Sequence, residues 1–392
     1  YNKTEPTKAK YAKVESDGTI TEEELIDVID VAAGYNFSLA LKKDGTVWAT
    51  GLNTYGQLGN GTTNSSNLFV QVKGENGVGY LKNVIQITAG NNTSHALMSN
   101  GQVYSWGLNS NGQFGNATKV DSYYPTEIQK VSNVIQISAG ANHLVMLLAD
   151  SSVWAVGNNK YGQLGLGHLT TQTLPQRMLT SGAKEVATGA NHTIVLKTDG
   201  TVWATGFHGN SNAGNYYYVL GLGGNTSSYA DGSFSDTSGT SRYVYKLRQV
   251  KVGNASTSIT DGKHITSSGN STYVTTTSGG MYTFGQNSYG GLFTGNTSLA
   301  YWATKVQTDK TMIAMATTRN SATGAIADQD GMVYTVGYNG NGELGNGTTE
   351  NLTVAVCISN KKINVDKNII NFEKTGDIEQ ITYTTSMAFN LI

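Results

Sequence analysis

The sequence predicts an all-β fold, a β-propeller of seven blades with four antiparallel strands in each. A glycine-rich motif, Gly56-Gln57-Leu58-Gly59 in its first copy, occurs in six places along the chain. The copies are about 50 residues apart, a period that is typical of propellers and solenoids. Short runs rich in β-branched and aromatic residues surround each copy, as expected for the strands of a propeller blade.

Each repeat contains the elements of one blade in a fixed order. An apolar run ending in a small residue and glycine comes first, as in VIQITAG (84–90). A second strand leads into a turn such as Asp44-Gly45, whose residues tolerate the positive φ of a two-residue hairpin. The third strand has an aromatic residue at one position, and we expect these residues to pack between blades. They are Trp48, Tyr104, Trp154, Trp203, Tyr282 and Tyr334. A fourth strand follows the glycine-rich loop.

Six repeats occupy residues 28–358, with an insertion at 209–245 in the fourth, and residues 1–27 and 359–392 flank them. In the N-terminal segment, ESDGTI (15–20) is typical of a turn and third strand. In the C-terminal segment, residues 378–392 match the first two strands at 84–98. We therefore expect both ends to form one composite seventh blade, since closure removes an exposed sheet edge. Alternatively, residues 363–384 resemble the opening strands of a bacterial immunoglobulin-like module.

Composition excludes several classes of function. The chain has 26 Lys and Arg against 27 Asp and Glu, so it lacks the basic surface of a nucleic-acid or membrane-surface binder. No apolar run approaches the ~20 residues of a membrane span. Its one cysteine, Cys357, excludes a disulfide framework, and its place in the middle of a strand predicts a buried, inert thiol.

No catalytic, cofactor or metal site is predicted. The glycine-rich loops lack the Lys-Ser/Thr of a phosphate-binding loop, so we expect tight turns with Leu58 and its equivalents pointing inward. His143 and His192 share one position in adjacent repeats, where Thr272 stands in the next, and we expect them to be structural. A G-x-S-x-G motif and a DxDxDG calcium loop are both absent from the sequence. We therefore expect that the protein is not an enzyme.

Tyrosine-rich loops are the candidate binding site. The insertion in the fourth repeat combines aromatic residues with Ser, Gly and Asn, the composition of adaptable recognition loops. Its candidate residues are Tyr216, Tyr217, Tyr218, Tyr229, Phe234, Tyr243 and Tyr245, and those of other loops are Tyr123, Tyr124, Tyr55, Tyr161 and Tyr289. We expect the insertion to be a surface loop whose deletion over 210–243 changes thermal stability little. A loop that merely folds on itself is the alternative.

Repeat units such as those at 134–167 and 186–206 resemble the regulator of chromosome condensation repeat. The resemblance covers residues 28–350 and implies a β-propeller, usually of seven blades, but fold alone does not assign function. The family includes a nucleotide-exchange factor for a small GTPase that also binds chromatin, a propeller-type protein inhibitor of β-lactamases, and bacterial extracellular modules. The low charge and the abundance of Asn, Thr, Ser, Tyr and Gly make this chain similar to the secreted bacterial members.

The expected function is therefore protein binding by a non-enzymatic propeller of a secreted or cell-surface bacterial protein. We expect its partner to be another protein, such as a β-lactamase-like enzyme or a host surface protein, recognised through the tyrosine-rich loops. Two alternatives are an inhibitor of a β-lactamase or penicillin-binding enzyme and a glycan-binding module. We expect no cofactor, no nucleic-acid partner and no membrane insertion.

Overall fold

Six blades of four antiparallel strands make up most of the fold. The computed structural model describes residues 8–14, 20–210, 218–223, 234–236, 241–253, 256–306, 308, 310–317, 322–358, 364–366, 369–371 and 382–384. Within a blade the strands pair in chain order, and the first strands of successive blades lie side by side around an axis. The propeller architecture and the six repeats predicted from the sequence are confirmed.

The strands have the following bounds. Strands β1 (Lys10–Val14) and β2 (Ile20–Glu24) precede blade 1, which consists of β3 (Val28–Ala33), β4 (Phe37–Lys42), β5 (Val47–Gly51) and β6 (Ser66–Gln71). Blade 2 consists of β7 (Val84–Ala89), β8 (Thr93–Met98), β9 (Val103–Gly107) and β10 (Ser122–Glu127). Blade 3 consists of β11 (Val134–Ala139), β12 (His143–Leu148), β13 (Val153–Gly157) and β14 (Gln172–Leu179).

The remaining blades follow the same order. Blade 4 consists of β15 (Ala183–Thr188), β16 (His192–Lys197), β17 (Val202–Asn210) and β19 (Ser241–Gln249), with β18 (Phe234–Asp236) on its outer edge. Strands β20 (Lys251–Val252) and β21 (Thr257–Ser258) lead to blade 5, which consists of β22 (Gly262–Ser268), β23 (Ser271–Thr276), β24 (Met281–Gly285) and β25 (Ala300–Val306). Blade 6 consists of β26 (Met312–Thr317), β27 (Thr323–Asp328), β28 (Val333–Gly337) and β29 (Leu352–Cys357). Strands β30 (Asn364–Asp366), β31 (Ile369–Asn371) and β32 (Thr382–Thr384) end the described chain.

The antiparallel order gives the propeller two distinct faces. Connections from first to second strands and from third to fourth strands lie on one face, here called the loop face. It includes the short loop 34–36 and the glycine-rich loop 52–65. The turns from second to third strands, such as Asp44-Gly45, and the links between blades lie on the opposite face, here called the turn face.

Polar side chains on the inner strands link neighbouring blades. Gln86 accepts a hydrogen bond from the Ile137 amide at 2.9 Å and donates one to the Ile137 carbonyl at 3.1 Å. Gln136 makes the same pair of bonds with Val186, at 3.0 and 3.2 Å. The glutamine of the V-I-Q-I pattern thus satisfies buried backbone groups of the next blade, which would be costly to leave unpaired.

Apolar clusters between the blades form the core. The cluster around Leu58 joins blades 1 and 2, and the cluster around Leu164 joins blades 3 and 4. Both leucines are fully buried, as are Phe114, Leu292 and Leu344 at the same position of other loops. The inward orientation predicted for these residues is confirmed. The in-phase aromatic residues that pack on clusters shared by two or more blades are Trp154, Trp203, Tyr282 and Tyr334.

The N-terminal hairpin departs from the predicted composite blade. β1 and β2 pair with each other, and β1 pairs in parallel with β6, so Ile20–Glu24 belongs to the sheet of blade 1. Residues 15–19 lie outside the described residues. Complementary charge favours this hairpin, because Lys8, Lys10 and Lys13 form ion pairs with Glu24, Glu22 and Glu23 at 3.1, 3.2 and 2.6 Å. The assignment of 15–20 to the third strand of a closing blade is therefore wrong at its described residue, Ile20.

The C-terminal strands β30, β31 and β32 form a separate three-stranded antiparallel sheet, and β32 lies against β3. Four-stranded blades number six among the described residues, so a seventh of that kind is not confirmed. The closing blade and the immunoglobulin-like module at 363–384 both stay predictions. Within the described ranges, no helix is both long and apolar enough to span a membrane.

Cys357 is exposed, so the prediction of a buried thiol is wrong. It lies in β29, the outer strand of the last four-stranded blade. An outer strand is covered on its open side only by elements of neighbouring blades. Its neighbours Val354 and Ala355 in β29 are exposed as well. Position within a strand therefore does not fix burial when the strand is at the edge of a sheet.

Candidate functional site

Exposed tyrosines concentrate on the loop face. Tyr35, Tyr123, Tyr289 and Tyr301 are 68%, 44%, 42% and 40% exposed, and Tyr55 is also exposed. Tyr35 follows an inner strand, Tyr55 and Tyr289 lie in glycine-rich loops, and Tyr123 and Tyr301 begin outer strands, so all five belong to this face. On the turn face the exposed large apolar residues are mainly aliphatic. They are Ile26, Val78, Ile85 and Ile135, together with one tyrosine, Tyr80.

Aromatic rings form two groups on the loop face of blades 3 to 5. The ring centroid of Tyr161 lies 5.1 Å from that of Phe207 and 6.4 Å from that of Tyr243. In the second group the Tyr218 centroid lies 4.8 Å from that of Tyr301, with the rings edge to face. Such pairs hold aromatic side chains in fixed orientations. The exposed Tyr301 ring therefore rests on the buried Tyr218 ring and is presented rigidly.

Cationic side chains border both groups. The Lys160 ammonium lies 5.6 Å from the centroid of the Tyr161 ring, and the Arg242 guanidinium lies 6.0 Å from that of Tyr218. Arg242 also donates a hydrogen bond to the Tyr218 hydroxyl at 3.5 Å. Beneath them His208 is buried, with Nε2 3.0 Å from the Gly223 carbonyl oxygen, so Nε2 is the protonated nitrogen. Burial lowers the pKa of His208 to about 4, and the ring is neutral at pH 7.

A buried asparagine fixes the shape of the glycine-rich loop in five of the six blades. Asn53 Oδ1 accepts a hydrogen bond from the Leu58 amide at 2.8 Å, and Nδ2 donates to the carbonyls of Thr62 and Asn64 at 2.9 and 3.0 Å. The same pattern is repeated by Asn109, Asn159, Asn287 and Asn339. In blade 4 the corresponding residue is His208. Loops braced in this way lose little conformational entropy on binding.

The loop face has little charge. In its described connections the residues with charged side chains are Lys119, Asp121, Lys160, Glu343 and Glu350. Asp121 and Glu343 accept hydrogen bonds from the amides of Asn109 and Asn341 at 2.7 and 2.9 Å, so these carboxylates brace loops. Asparagine, serine, threonine and tyrosine provide most of the polar groups. A surface of this kind suits recognition by packing and neutral hydrogen bonds rather than by charge.

The two in-phase histidines are structural, as predicted. His143 Nε2 lies 3.2 Å from Thr193 Oγ1, and His192 Nε2 lies 2.9 Å from Ser267 Oγ, so each ring bridges two blades. Burial lowers the pKa of both rings to about 3. The corresponding residue of blade 5 is Ser271 rather than Thr272, since Ser271 is the residue opposite Gly285. Among the residues with described positions, no group of three His, Cys, Asp or Glu could hold a metal ion.

The structure separates the tyrosines predicted from the sequence into three sets. Tyr55, Tyr123 and Tyr289 are exposed, whereas Tyr124, Tyr161 and Tyr245 are half-buried. Tyr218 and Tyr243 are 7% and 4% exposed, so they support the face from below instead of forming its surface. Tyr216, Tyr217 and Tyr229 lie outside the described residues, as does the side chain of Phe234.

Sequence reasoning missed several residues of the face. Tyr35 stands next to the glycine that ends the first strand, and Tyr301 has the same position in its outer strand as Tyr123. Tyr338, whose ring lies 5.1 Å from that of Tyr289, immediately follows the third strand of blade 6. Alignment of the repeats on the glycine that ends each third strand would have revealed all three positions. Arg242 offers no such signal, because it lies within the insertion.

Comparisons with known proteins agree on the fold. Human WBSCR16 superposes on 87% of this chain and 84% of its own, with a TM-score of 0.67 and 21% identity. Prp20, the yeast RCC1, in complex with Kap60 superposes on 84% of this chain and 74% of its own, with a TM-score of 0.65 and 21% identity. At this identity the likeness shows the fold alone.

Curated relatives match over short stretches. The human E3 ubiquitin-protein ligase HERC2 is 36% identical over 102 residues, which are 26% of this chain and 2% of the ligase. The human X-linked retinitis pigmentosa GTPase regulator is 42% identical over 84 residues, 21% of this chain and 8% of that protein. A family model described as the RCC1-like domain matches residues 3–376. Given this match over nearly the whole chain and the six four-stranded blades, the chain belongs to the family of RCC1-like domains.

Proposed function

We propose that this propeller is a non-enzymatic protein-binding domain whose loop face contacts the partner, with blades 3 to 5 at the centre of the interface. The observation that carries the proposal is the concentration of exposed tyrosines on this one face. Tyrosine contributes large contact area and a hydroxyl at low entropic cost, and it is enriched among the residues that dominate binding energy. The rings on blades 3 to 5 are held in place by one another and by Arg242.

Further observations support a protein as the partner. The face is braced by buried asparagines before any partner arrives, and it has few charges. The described carboxylates Asp121 and Glu343 bond to loop amides, an arrangement that does not suit acid–base catalysis. One structural relative is Prp20p from Saccharomyces cerevisiae, whose crystal structure is reported together with its binding to Gsp1p and histones. Protein ligands are thus a known use of this fold.

Affinity capture with matched variants tests the proposal. The wild-type chain, the loop-face double variant Tyr289→Ala/Tyr301→Ala and the turn-face variant Tyr80→Ala are immobilised and incubated with extract from the native source. Tyr80 is 46% exposed, comparable with the two loop-face tyrosines, so the control matches residue type and exposure. We expect a protein that is retained by the wild type and by Tyr80→Ala but lost from the double variant. Equal retention on all three surfaces would contradict a loop-face site.

Two finer proposals concern the setting and the kind of partner. We place the protein outside the cell or at the cell surface of a bacterium, because its composition, low in charge and rich in Asn and Tyr, suits that environment. Detection by antibody on intact cells tests this location, and a signal only after lysis would refute it. A narrower function is inhibition of a β-lactamase or penicillin-binding enzyme, which an inhibition assay across a panel of such enzymes tests.

A glycan is the second candidate ligand, favoured by the exposed Tyr301 and Tyr123 rings beside asparagine-rich loops, since flat rings and amides also suit sugars. A glycan array read with the wild type and with Tyr289→Ala/Tyr301→Ala separates this possibility from protein binding. Binding of sugars by the wild type that the double variant loses would favour the glycan. A blank array together with a captured protein would leave the protein partner as the function.

A further inference from the structure

Segments next to blades 1 and 5 place an added strand on the outer strands of these blades. β1 pairs in parallel with β6, where Tyr11 is opposite Phe69. The centroid of the Tyr11 ring lies 4.6 Å from that of Trp48, the aromatic residue of the third strand. β20 pairs in parallel with β25 in the same way, where Val252 is opposite Ala303. The fold thus uses the outer edge of a blade to bind an extended segment.

Blades 3 and 4 lack such a strand among the described residues. The links that lead to them, at 128–133 and 180–182, are short. The link to blade 2 is longer and forms a hairpin at 73–80, whose Gly77 packs on the Tyr124 ring, since a Cβ there would lie 2.8 Å from Cε1. On blade 4, β18 pairs only with the first part of β19. In the described chain, the half of β19 nearer the turn face therefore has an open outer edge.

The two open edges differ at the residue that pairs with an added strand. Phe69 and Ala303 are both the fourth residue of the outer strand, counted from the one opposite the glycine that ends the third strand. By the same count blade 3 has Pro175 and blade 4 has Leu247. Proline has no N–H group to donate and protects an exposed edge from pairing. Leu247 has one, so the edge of blade 4 can accept a further strand.

An apolar strip lies beside this edge, between blades 3 and 4. Its side chains are partly buried and pack on one apolar cluster. They are Leu166, Met178, Leu179, Trp203 and Leu247, here called the blade 3–4 strip. Trp203 is the counterpart of Trp48, because both are opposite a glutamine at the same position of the outer strand. Trp203 therefore offers the kind of surface that Tyr11 covers in blade 1.

The residues around the strip are cationic. Three of the nine residues of β19 have a positive charge and none is acidic, whereas each other outer strand has at most one charged residue. The three are Arg242, Lys246 and Arg248. Lys246 is exposed, and the Lys197 ammonium lies 4.1 Å from the centroid of the Trp203 ring. The nearby Asp199 carboxylate accepts hydrogen bonds from the Thr201 amide and hydroxyl, at 2.9 and 2.6 Å. The strip thus favours a segment with negative charge.

We propose that the outer edge of blade 4 binds an extended acidic segment of a partner protein. The segment runs parallel to β19 and pairs with it at Leu247, as β1 pairs with β6 at Phe69. An aromatic or branched apolar side chain of the segment lies against Trp203, and flanking carboxylates approach Lys197 and Lys246. This site is on the circumference of the propeller and does not depend on the loop face.

Blade 6 offers a comparison within the chain. Its fourth outer-strand residue is Ala355, so proline does not protect that edge. Its third-strand aromatic residue is Tyr334, whose hydroxyl donates to the Asp328 carboxylate at 3.1 Å. An acidic segment there would meet a carboxylate, and the two like charges would repel each other. The preference for negative charge therefore belongs to blade 4.

A designed peptide tests the proposal on the full chain. The probe has the sequence of residues 8–14 with glutamate in place of the three lysines and photoreactive benzoylphenylalanine in place of the tyrosine, and the control peptide keeps the lysines. Photo-crosslinking captures weak complexes, and mass spectrometry locates the link. We expect the glutamate peptide to link to the blade 3–4 strip and the lysine peptide to do so about tenfold less. No link at the strip, or equal yields from both peptides, would overturn the proposal.

Leu247→Pro and Leu247→Ala separate backbone pairing from packing. Both variants lose the leucine side chain, but only proline removes the N–H group, and the chain itself has proline at this position in blades 2 and 3. We expect Leu247→Pro to lose the crosslink and Leu247→Ala to keep it. Equal behaviour of the two variants would overturn pairing at this edge.

Lys246→Glu tests the charge at an exposed side chain and leaves the core unchanged. We expect the yield of the glutamate peptide to fall about tenfold and that of the lysine peptide to rise. Tyr289→Ala/Tyr301→Ala should crosslink as the wild type does, so failure of this site and failure of the loop-face site are distinguishable. Unchanged yields for Lys246→Glu would overturn an acidic partner. Self-association of the purified chain that Leu247→Pro abolishes would overturn it as well, by assigning the edge to a second copy.

Discussion

At the scale of single residues, glycine and histidine act together in the inner loops. The His143 ring occupies the space above Gly140 Cα, and the His192 ring does the same above Gly189, so a Cβ at either glycine would overlap the ring. In blade 1 Phe37 fills the equivalent space above Gly34. The glycine of the A-G-x-N-H pattern is thus required by close packing between consecutive parts of one loop.

Gly140→Ala is therefore expected to destabilise the protein. The added methyl group forces the His143 ring out of its place between blades, which should cost about 1–3 kcal/mol, the usual range for overpacking. Thermal unfolding followed by circular dichroism measures the effect. Gly280→Ala is the control, since its Cβ would lie at ordinary distances of 3.5 and 3.7 Å from its neighbours. A melting temperature of Gly140→Ala equal to that of the control would contradict the packing account.

The buried histidines predict how stability depends on pH. Burial lowers the pKa values of His95, His143 and His192 to about 3, whereas the unfolded chain titrates near 6.5. Between these values the unfolded state binds more protons, so stability falls as the pH decreases from about 6.5 towards 3. Each ring contributes about 1–2 kcal/mol of this loss by pH 5.

His143→Phe tests this dependence, because the chain itself uses Phe37 at the same position. Urea unfolding at pH 7 and pH 5 should show a smaller loss of stability for the variant than for the wild type. The Thr193 hydroxyl keeps a hydrogen-bond partner in the variant, because it also donates to the Gln163 carbonyl at 2.7 Å. An equal loss for both proteins would mean that His143 does not contribute through its neutral, buried ring.

At the scale of elements, the glycine-rich loop depends on its buried asparagine. Asn159 Oδ1 accepts from the Leu164 amide at 3.0 Å, and Nδ2 donates to the carbonyls of His168 and Thr170 at 2.8 and 3.2 Å. These bonds hold a loop that leaves the sheet and returns to it, and they place Leu164 in the core. The shape of the glycine-rich loop therefore depends on the side-chain amide of this asparagine as well as on its glycines.

Asn159→Ala should cost about 2–4 kcal/mol of stability, because it leaves buried backbone groups without partners. Asn158→Ala is the matched control, since the Asn158 side chain makes a single bond, to the exposed Lys160 amide, at 2.9 Å. Limited proteolysis at 158–171 together with thermal unfolding reports both local and global effects. Similar behaviour of the two variants would show that Asn159 does not organise the loop.

Part of the insertion of blade 4 is buried, whereas its sequence predicts a surface loop. Within it, Val219, Leu220 and Leu222 are buried in the apolar cluster shared by blades 4, 5 and 6. Leu220 takes the position of Leu58, since Gly221 and Gly223 repeat the contacts that the glycines after Leu58 make with the next blade. The glycine-rich loop is therefore present in blade 4, interrupted by additional residues.

Leu220→Ala is accordingly expected to destabilise the protein by about 2–5 kcal/mol, as for other large-to-small changes in a core. Deletion of 210–243 should lower the melting temperature more strongly still, because it removes Leu220 together with its neighbours and Tyr243. Deletion of 226–230 is the control, since it leaves these residues in place. Thermal unfolding of the three variants measures these effects. An unchanged melting temperature of Leu220→Ala would support the prediction of a surface loop that contributes little to stability.

At the scale of the whole molecule, the features that all repeats share determine the fold. The residues that differ between repeats determine the candidate binding site. The propeller, the order of strands and the inward leucines follow from the repeat itself, as in the VIQITAG and Gly-Gln-Leu-Gly motifs. The repeat also determines which connections share a face. It does not determine which residues of that face are exposed, since the Tyr218 and Tyr301 rings are in contact yet only Tyr301 reaches the surface. Burial there depends on contacts between blades, which no single repeat encodes.

The ends of the chain show the same limit. The N-terminal pairing follows from complementary lysines and glutamates and from the Tyr11 ring, whose centroid lies 4.6 Å from that of Trp48. Neither feature resembles the repeat, so the repeat pattern alone predicts a closing strand at 15–20 instead of this hairpin. The prediction of a buried Cys357 is wrong for a related reason, because a strand pattern does not reveal that the residue lies exposed in an outer strand.

Footprinting of tyrosines by hydroxyl radicals, with and without a captured partner, tests the central claim most directly. We expect protection of Tyr123, Tyr289 and Tyr301 when the partner is bound, with Tyr80 on the turn face remaining as reactive as in the free protein. The similar exposure of these four side chains in the free protein makes their reactivities comparable. Protection of Tyr80 with unchanged reactivity of the three loop-face tyrosines would contradict recognition by the loop face.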